Sequence, residues 1–480
     1  MFFFVVVFAG IAEGVTTNYV SGACAEDAVG DLFPEKWESR PEFSLLWNVS
    51  YHESYKILTN RVTETKFVLY QCGTTAPEIP NATLVQVPVT RAATTSTTYL
   101  PFFEMIGERS SLKAYTSSFD YVSSPCLRRM YVEGEIEEAY DASTWSINQS
   151  KLEGIELTIA DAWTASSVPN GYVMTDTSED SVLETVEYVH VVGLFFNRER
   201  EATEAAQHIY DSYRCVSEEV SAVTADLPNR KVVWASYWDA ADGWSIAACP
   251  NWYCEIVESA GGEIIVPEVE PEVDYFGYPY LSTDQIRDLL VDADLLVSPG
   301  PFPDDMTLNI TVFDNQGPLG ANDWFERRHV EPDVLLQDLA TVFWPDVFDY
   351  SRKFLRNVET EAPGQRPSDD ELVDLCPDVE APYDFESAEC PSLDDAASGA
   401  GTSSSSSSKK KKKGKSAVVW VAAVVLVLFI FALIYCILAC AKRATFAKKA
   451  AAGAPDEMKK LPQDDDDDDH HHHHEEYDKK

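Results

Sequence analysis

One long amphipathic helix constrains the fold of this chain more than any other feature. Between residues 202 and 223, apolar side chains recur at steps of four and three, the spacing of one helix face. The members of this face are Ala202, Ala206, Ile209, Tyr213, Val216, Val220 and Val223. Charged residues occupy the other faces, so the pattern predicts a helix of about six turns that buries one side. Such a helix needs folded partners on both halves of its length.

Strand and helix signals alternate on either side of this helix. Before it, residues 66–70 and 84–89 read as strands, 97–107 as a helix ended by glycine, and 157–160 as a further apolar stretch. After it come a strand at 231–235, a helix at 251–260, a capping box at Ser282 and Gln285, and a strand at 294–298. The sequence therefore predicts an α/β fold: two αβ lobes, residues 45–190 and 230–355, bridged by one long backbone helix at 195–226.

The two ends of the chain predict a surface-anchored protein. Residues 1–14 resemble a signal peptide that lacks the usual positive start. Residues 360–415 are acidic, then rich in Ser and Lys, and predict a flexible stalk. Residues 417–441 carry no charge and would reach about 37 Å as a helix, enough for a transmembrane helix. Residues 442–480 form a low-complexity tail ending in Asp, His and Lys runs.

Cysteines and glycosylation sequons favour the outside of the cell for the large domain. Eight of the ten cysteines precede residue 400, an even set that suits disulfides, with Cys249–Cys254 and Cys376–Cys390 as the expected local pairs. Sequons begin at Asn48, Asn81, Asn148 and Asn309. We therefore expect a type I single-pass protein of the plasma membrane with a cytoplasmic tail.

Net charge excludes one class of partner. The chain has 37 basic and 80 acidic residues, and the acidic excess lies in its first 400 residues. So acidic a surface repels polyphosphate, which argues against nucleic-acid binding.

Three segments together resemble a known family. They are residues 193–202 leading into the long helix, residues 258–262 (Glu-Ser-Ala-Gly-Gly) followed by 282–298, and residues 333–348 with their Trp-Pro-Asp-Val-Phe end. In order and spacing they resemble the periplasmic binding proteins whose two lobes are bridged by a single helix. The sequons, cysteines and membrane segment depart from the bacterial pattern and look most like the algal cobalamin acquisition proteins. The resemblance implies a metal-chelate ligand between the lobes, cobalamin first, carried as transported ligand rather than as a cofactor.

Candidate ligand-binding residues are aromatic and hydroxyl-bearing side chains in the loops expected to face the cleft. They are Ser96, Thr97, Thr98, Phe119, Tyr121, Tyr237, Trp238, Asp239, Asp242, Trp244, Trp252 and Tyr278. Aromatic faces and hydroxyl groups suit a large, mostly uncharged chelate such as a corrinoid. Each aromatic residue has the alternative of being part of a lobe core.

Two alternatives to cobalamin remain open. A ferric siderophore would be the favoured ligand if Arg91, Arg128 and Arg129 face the cleft, because anionic chelates bind guanidinium groups. An adhesion or signalling ectodomain without a small ligand would have a filled cleft. An enzyme is not expected, because residues 243–247 match only half of a GxSxG motif. A receptor for a bare metal ion is not expected either, because only four histidines precede residue 400. A single span cannot form a pore, so uptake would need a separate transporter or endocytic machinery.

Overall fold

The fold is mixed α/β, with two lobes joined by a long helix. The structure, a computed structural model, describes residues 16–20, 23–25, 30–38, 46–179, 181–238, 243–247, 249–267, 272–273, 279–300, 302 and 308–385. The predicted signal peptide, membrane segment and tail lie outside these ranges. Within them, no helix has the length and apolar character needed to cross a membrane.

The first lobe contains two larger sheets and the two-stranded antiparallel sheet β8-β9. Its strands are β1 (Trp47–Tyr51), β2 (Tyr55–Asn60), β3 (Lys66–Gln71), β4 (Thr83–Val87), β5 (Ala92–Thr94), β6 (Leu112–Tyr115), β7 (Glu137–Glu138), β8 (Tyr140–Asp141), β9 (Ser146–Ile147), β10 (Leu157–Ala160) and β11 (Gly171–Val173). Strands β1 to β4 form one sheet in chain order, and β11-β10-β5-β6-β7 form a sheet in which all neighbours are parallel. Its helices are α1 (Leu100–Met105), α2 (Pro125–Val132), α3 (Val182–Val186) and α4 (Tyr188–Phe196).

The bridge between the lobes is α5 (Glu199–Thr224), 26 residues or about 39 Å long. Six of the seven residues in the predicted apolar face are buried, and the seventh, Val223, is 43% exposed near the helix end. The predicted start at 195 is too early, because α4 ends at Asn197 in the left-handed conformation, with φ 59°. Gly193 permits this junction: a Cβ there would lie 2.9 Å from Ala202 Cβ.

The second lobe has one sheet. Its strands are β12 (Arg230–Trp238), β13 (Gly243–Ile246), β14 (Gly262–Ile264), β15 (Glu272–Val273), β16 (Pro279–Leu281), β17 (Leu295–Ser298), β18 (Thr311–Asp314) and β19 (Arg356–Asn357). Their order is β15-β16-β13-β12-β17-β18-β19, with β14 also paired to β12, and β12, β17 and β18 are parallel. The helices are α6 (Trp252–Ser259), α7 (Thr283–Leu289), α8 (Ala321–Arg327) and α9 (Pro332–Phe343). The predicted capping box at Ser282 and Gln285 is present at the start of α7.

After β19 the chain returns to the first lobe. Residues 361–385, the C-terminal strap, include α10 (Leu372–Leu375), which packs against α2. A disulfide joins Cys376 to Cys126 of α2. Residues 361–385 are thus part of the folded domain, so the prediction that a stalk begins at 360 is wrong for these residues.

Three disulfides join pairs of cysteines within the described residues. Cys249 pairs with Cys254, as predicted. Cys24 pairs with Cys72, and Cys376 pairs with Cys126. The predicted local pair Cys376–Cys390 is therefore wrong: α10 docks on α2, and this brings together two cysteines 250 residues apart. Cys215 is also disulfide-bonded.

Candidate functional site

The carboxyl edge of the first lobe's parallel sheet supplies one side of the candidate site. Because β5, β6 and β10 are parallel neighbours, the loops that follow them meet at one edge. The loop after β5 is fixed at both ends. Thr95 Oγ1 donates to Asp161 Oδ2 after β10 at 2.8 Å, and Ser96 Oγ accepts from the backbone N–H of Thr98 at 3.3 Å. These bonds hold a row of hydroxyl groups at the sheet edge.

Helix α8 of the second lobe supplies the other side. Thr98 Oγ1 donates to the carbonyl of Phe325 at 3.1 Å, and Asn322 Nδ2 donates to the carbonyl of Asp120 at 2.9 Å. The next turn of α8 makes a stronger contact: both carboxylate oxygens of Glu326 accept backbone N–H groups, from Ser123 at 2.6 Å and Ser124 at 3.0 Å. The two lobes therefore touch directly beside the site.

A cavity of about 290 Å³ lies between these two sides. Its lining residues are Thr95, Ser96, Thr97, Tyr115, Ser117, Tyr121, Asn322 and Phe325. Six of the eight carry hydroxyl groups, one a carboxamide, and none a formal charge. Burial raises the pKa of Tyr115 well above its usual range, so that hydroxyl stays neutral at physiological pH. The cavity thus offers neutral donors and acceptors together with exposed rings.

The predicted residues of the first lobe are brought together by the structure. Ser96, Thr97 and Tyr121 line the cavity, and Thr98 contacts the second lobe beside it. Phe119 is placed differently: it is 3% exposed and stacks on Tyr131 with ring centroids 4.1 Å apart. Its ring packs inside the first lobe and does not line the cavity, so the structure does not favour its predicted contact with a ligand.

Two of the five predicted aromatic residues of the second lobe, Trp244 and Trp252, are buried in the core, and a third, Tyr237, is half-buried. Trp244 is 0% exposed and packs at a tilt against Tyr237, with ring centroids 5.3 Å apart. Trp252 is 5% exposed and packs at a tilt against His329, with ring centroids 4.8 Å apart. These placements favour packing over ligand contact. Asp239, Asp242 and Tyr278, and the side chain of Trp238, lie outside the described part of the chain.

None of the three arginines that would favour a siderophore lines the cavity. Arg91 donates to the carbonyl of Gly154 at 3.2 Å. Arg128 pairs with Asp369, and Arg129 donates to the carbonyl of Cys376, at 2.6 and 2.7 Å. Two of these guanidinium groups thus hold the C-terminal strap.

The half-match to a GxSxG motif does not form the sharp turn that a nucleophile needs. Ser245 lies inside β13, opposite Ser236 of β12 and Tyr280 of β16.

In the described part of the chain, no group of three or more His, Cys, Asp or Glu side chains is placed to hold a metal ion.

Sequence reasoning missed the contribution of α8. Asn322 and Phe325 line the cavity, and Phe325 is 45% exposed. Helix α8 has seven residues and no capping side chain, so its sequence shows neither a long apolar period nor a start signal. The run Gly317-Pro318-Leu319-Gly320 before the helix signals a turn, and Gly320 adopts φ 82° there.

Comparison with known proteins gives partial likenesses in structure only; no family model and no curated protein matches the chain. A periplasmic heme-binding protein from Pseudomonas aeruginosa is 12% identical, with a TM-score of 0.40 over 57% of this chain and 99% of that one. An ABC transporter substrate-binding protein from Listeria monocytogenes EGD-e is 12% identical, with a TM-score of 0.39 over 53% and 99%. The siderophore-binding protein BauB, bound to acinetobactin and ferric iron, is 15% identical, with a TM-score of 0.38 over 53% and 92%.

Proposed function

We propose that this chain is a surface receptor that binds a large, mostly uncharged metal chelate between its two lobes, with cobalamin as the leading ligand. The observation that carries the proposal is the inter-lobe cavity, which both lobes line with hydroxyl, carboxamide and aromatic groups and without formal charge. Ligand sites commonly combine a few oriented polar groups with apolar faces in this way.

The chemistry of the lining suits a chelate with amide groups on its edge. Hydroxyl groups donate and accept, and the carboxamide of Asn322 does both, so each can pair with a ligand amide. Tyr121 and Phe325 are 58% and 45% exposed and offer aromatic faces. A corrinoid carries such amides around an extended, mostly apolar ring.

Size sets a condition on this proposal. A cavity of about 290 Å³ lies at the lower limit of sites for drug-sized ligands, roughly 300–1,000 Å³, and a corrinoid is larger than those ligands. Binding of the whole ligand therefore requires the contacts of Thr98 and Asn322 across the cavity to separate. The mechanism we propose is lobe separation, entry of the ligand and re-closure about α5, with no covalent chemistry.

Two other functions keep specific support. A ferric siderophore would need a cation at the site, and Arg328 supplies a nearby one: its guanidinium carbon lies 5.5 Å from the centroid of the Phe325 ring, which lines the cavity. An adhesion or signalling ectodomain would need no ligand, and the direct bonds between the lobes agree with that alternative.

Calorimetric titration of the full-length protein with cyanocobalamin, and separately with a ferric hydroxamate, tests the proposal. We expect one-to-one cobalamin binding that Tyr121→Ala and Asn322→Ala each weaken about tenfold, the loss of roughly 1.4 kcal/mol of contact. Trp145→Ala is the matched control, because Trp145 is 67% exposed and does not line the cavity. Binding of the hydroxamate alone would move the assignment to the siderophore, and no heat from either ligand would overturn the receptor proposal.

Location and uptake belong to the same proposal. We place the lobes outside the plasma membrane, with a single membrane segment after them and a separate transporter or endocytic machinery for uptake. Surface biotinylation of intact cells followed by protease treatment checks this, because an extracellular domain is labelled and digested while the tail is protected.

A further inference from the structure

A second cavity lies in the second lobe, at the sheet edge where the parallel strands begin. It has a volume of about 410 Å³ and sits where β12, β17 and β18 begin and α9 ends. Its lining residues are Arg230, Asp294, Leu295, Thr311, Phe313, Thr341, Val342, Phe343, Pro345, Arg352, Asn357 and Glu361. Because parallel strands begin at this edge, the cavity is separate from the loops that follow their carboxyl ends.

The walls combine apolar surface with fixed polar groups. Arg230 stacks on Trp344, with its guanidinium carbon 4.8 Å from the ring centroid, and donates Nε to the carbonyl of Phe343 at 2.9 Å. Its two terminal nitrogens have no hydrogen-bond partner among the described residues. Arg352 stacks on Phe313 at 5.6 Å. An oriented donor group above apolar side chains is the combination expected of a site for a polar ring with one apolar face.

A glycosylation sequon reaches this cavity. Asn309, Ile310 and Thr311 form the motif, and Thr311, its hydroxyl residue, opens β18 and lines the cavity. Thr311 and Phe313 are two residues apart and both line it, as alternation along a strand requires. Asn309 lies two residues before Thr311 and is exposed. An attached group therefore starts at the cavity's edge.

We propose that an N-linked glycan on Asn309 folds back so that its first N-acetylhexosamine occupies this cavity. In the modification, the sugar's bond from C1 to the phosphate of a lipid-linked diphosphate breaks, a bond from C1 to Asn309 Nδ2 forms, the lipid diphosphate leaves, and Nδ2 loses a proton. The sugar's hydroxyl and acetamide groups then accept from the terminal nitrogens of Arg230 and donate to the oxygens of Asp294 and Glu361. The apolar side chains of Phe343 and Pro345 cover the opposite face of the sugar ring.

This inference depends on passage through the secretory pathway and not on which ligand the first cavity binds. The disulfides Cys24–Cys72 and Cys126–Cys376 agree with an oxidising compartment. If the first cavity binds no ligand, the glycan inference is unaffected. If the glycan does not occupy the second cavity, the receptor proposal is unaffected.

The test is site-resolved glycan release from the full-length protein made in a eukaryotic secretory host. Under native conditions, a peptide-N-glycosidase should release the Asn309 glycan roughly tenfold more slowly than the Asn81 glycan, because a packed sugar must first leave its site. Asn81 is the matched control, since it is exposed in a turn at φ 56°. Arg230→Ala should bring the two rates within about twofold, a loss of most of that protection.

Thermal unfolding gives a second readout that needs no change in the cavity wall. Asn309→Gln should lower the melting temperature by a few degrees, as loss of about 1 kcal/mol does. After enzymatic removal of all glycans, the unmutated protein and Asn309→Gln should have the same melting temperature, because the packed sugar is then absent from both. An unmodified Asn309, or equal release rates at Asn309 and Asn81 in the unmutated protein, would overturn the inference.

Discussion

Lys56 Nζ donates to Glu199 Oε1 at 2.7 Å in an environment where both side chains are at most 1% exposed. The same ammonium also donates to Asn197 Oδ1 at 2.8 Å and to the carbonyl of Leu194 at 2.6 Å. These three acceptors lie at the junction of α4 and α5, so one buried cation from β2 fixes the start of the helix that bridges the lobes. Desolvation lowers the pKa of Lys56, and Glu199 opposes that shift.

Breaking this buried pair should destabilise the fold strongly. Lys56→Met leaves Glu199 as an unpaired buried charge, and we expect the free energy of unfolding to fall by about 3–5 kcal/mol in urea titrations. Lys36→Met, which removes the exposed pair with Asp31, should cost less than about 1 kcal/mol. A Lys56→Met, Glu199→Leu double variant should recover part of the loss, and a double variant less stable than Lys56→Met would contradict this account.

Trp244 and Tyr121 should respond to truncation in opposite ways. Trp244 is fully buried and donates Nε1 to Thr283 Oγ1 at 3.1 Å, so Trp244→Ala should cost about 3–5 kcal/mol of stability. Tyr121 is 58% exposed, and Tyr121→Ala should change stability by less than about 0.5 kcal/mol while it weakens ligand binding. Chemical unfolding and calorimetry on both variants separate the two roles. If the Trp244→Ala protein keeps its stability but loses ligand binding, Trp244 contacts the ligand and this prediction is wrong.

The disulfides Cys126–Cys376 and Cys249–Cys254 should contribute unequally to stability. In the loop-entropy model, Cys126–Cys376, with a separation of 250 residues, is worth about 5 kcal/mol, and Cys249–Cys254, with a separation of 5, about 2 kcal/mol. Paired Cys→Ala variants and urea titration measure both. Hydrogen exchange should also rise in α2 and the C-terminal strap only when Cys126–Cys376 is removed. Equal losses from both pairs would mean that the strap holds without its covalent link.

Stability should fall as pH rises above about 4.5, because several buried acids bind protons more tightly when folded. Burial raises the pKa of Glu326 to about 8, of Asp333 to about 8 and of Asp338 to about 7. A folded-state pKa above the unfolded value of an acid gives stabilisation that is complete below the unfolded pKa and is lost as pH rises through the folded pKa. Urea titrations at pH 5 and 8.5 should therefore show greater stability at pH 5. Glu326→Gln should reduce this difference, and the exposed control Glu153→Gln should not.

Much of the lobe architecture follows from local sequence signals. The face of α5, the cap of α7 at Ser282 and the strands near 66–71 and 295–298 are each specified by neighbours within a few residues, and the structure has them at nearly the expected places. The first-lobe half of the cavity was also predictable, because loops that follow parallel strands meet at one edge.

The rest depends on contacts between distant segments, which leave no local pattern. The Cys126–Cys376 bond requires that α10 return to α2, and composition alone made residues 361–385 resemble a linker. Trp244 follows a polar loop, yet its ring turns into the sheet and is covered by Tyr237 and Phe302. Whether an aromatic ring faces a core or a cleft is decided by register across strands, and that information is not in the loop sequence.

The C-terminal strap determines where tension on the chain would act. Its last described residue, Phe385, lies beside His208 of α5, with ring centroids 4.9 Å apart. Within the described residues, a pull on Phe385 would load its contact with α5 and then the bond from Cys376 to Cys126 in the first lobe. The covalent link carries this force into the first lobe before it reaches β19, so the strands of the second lobe are not loaded.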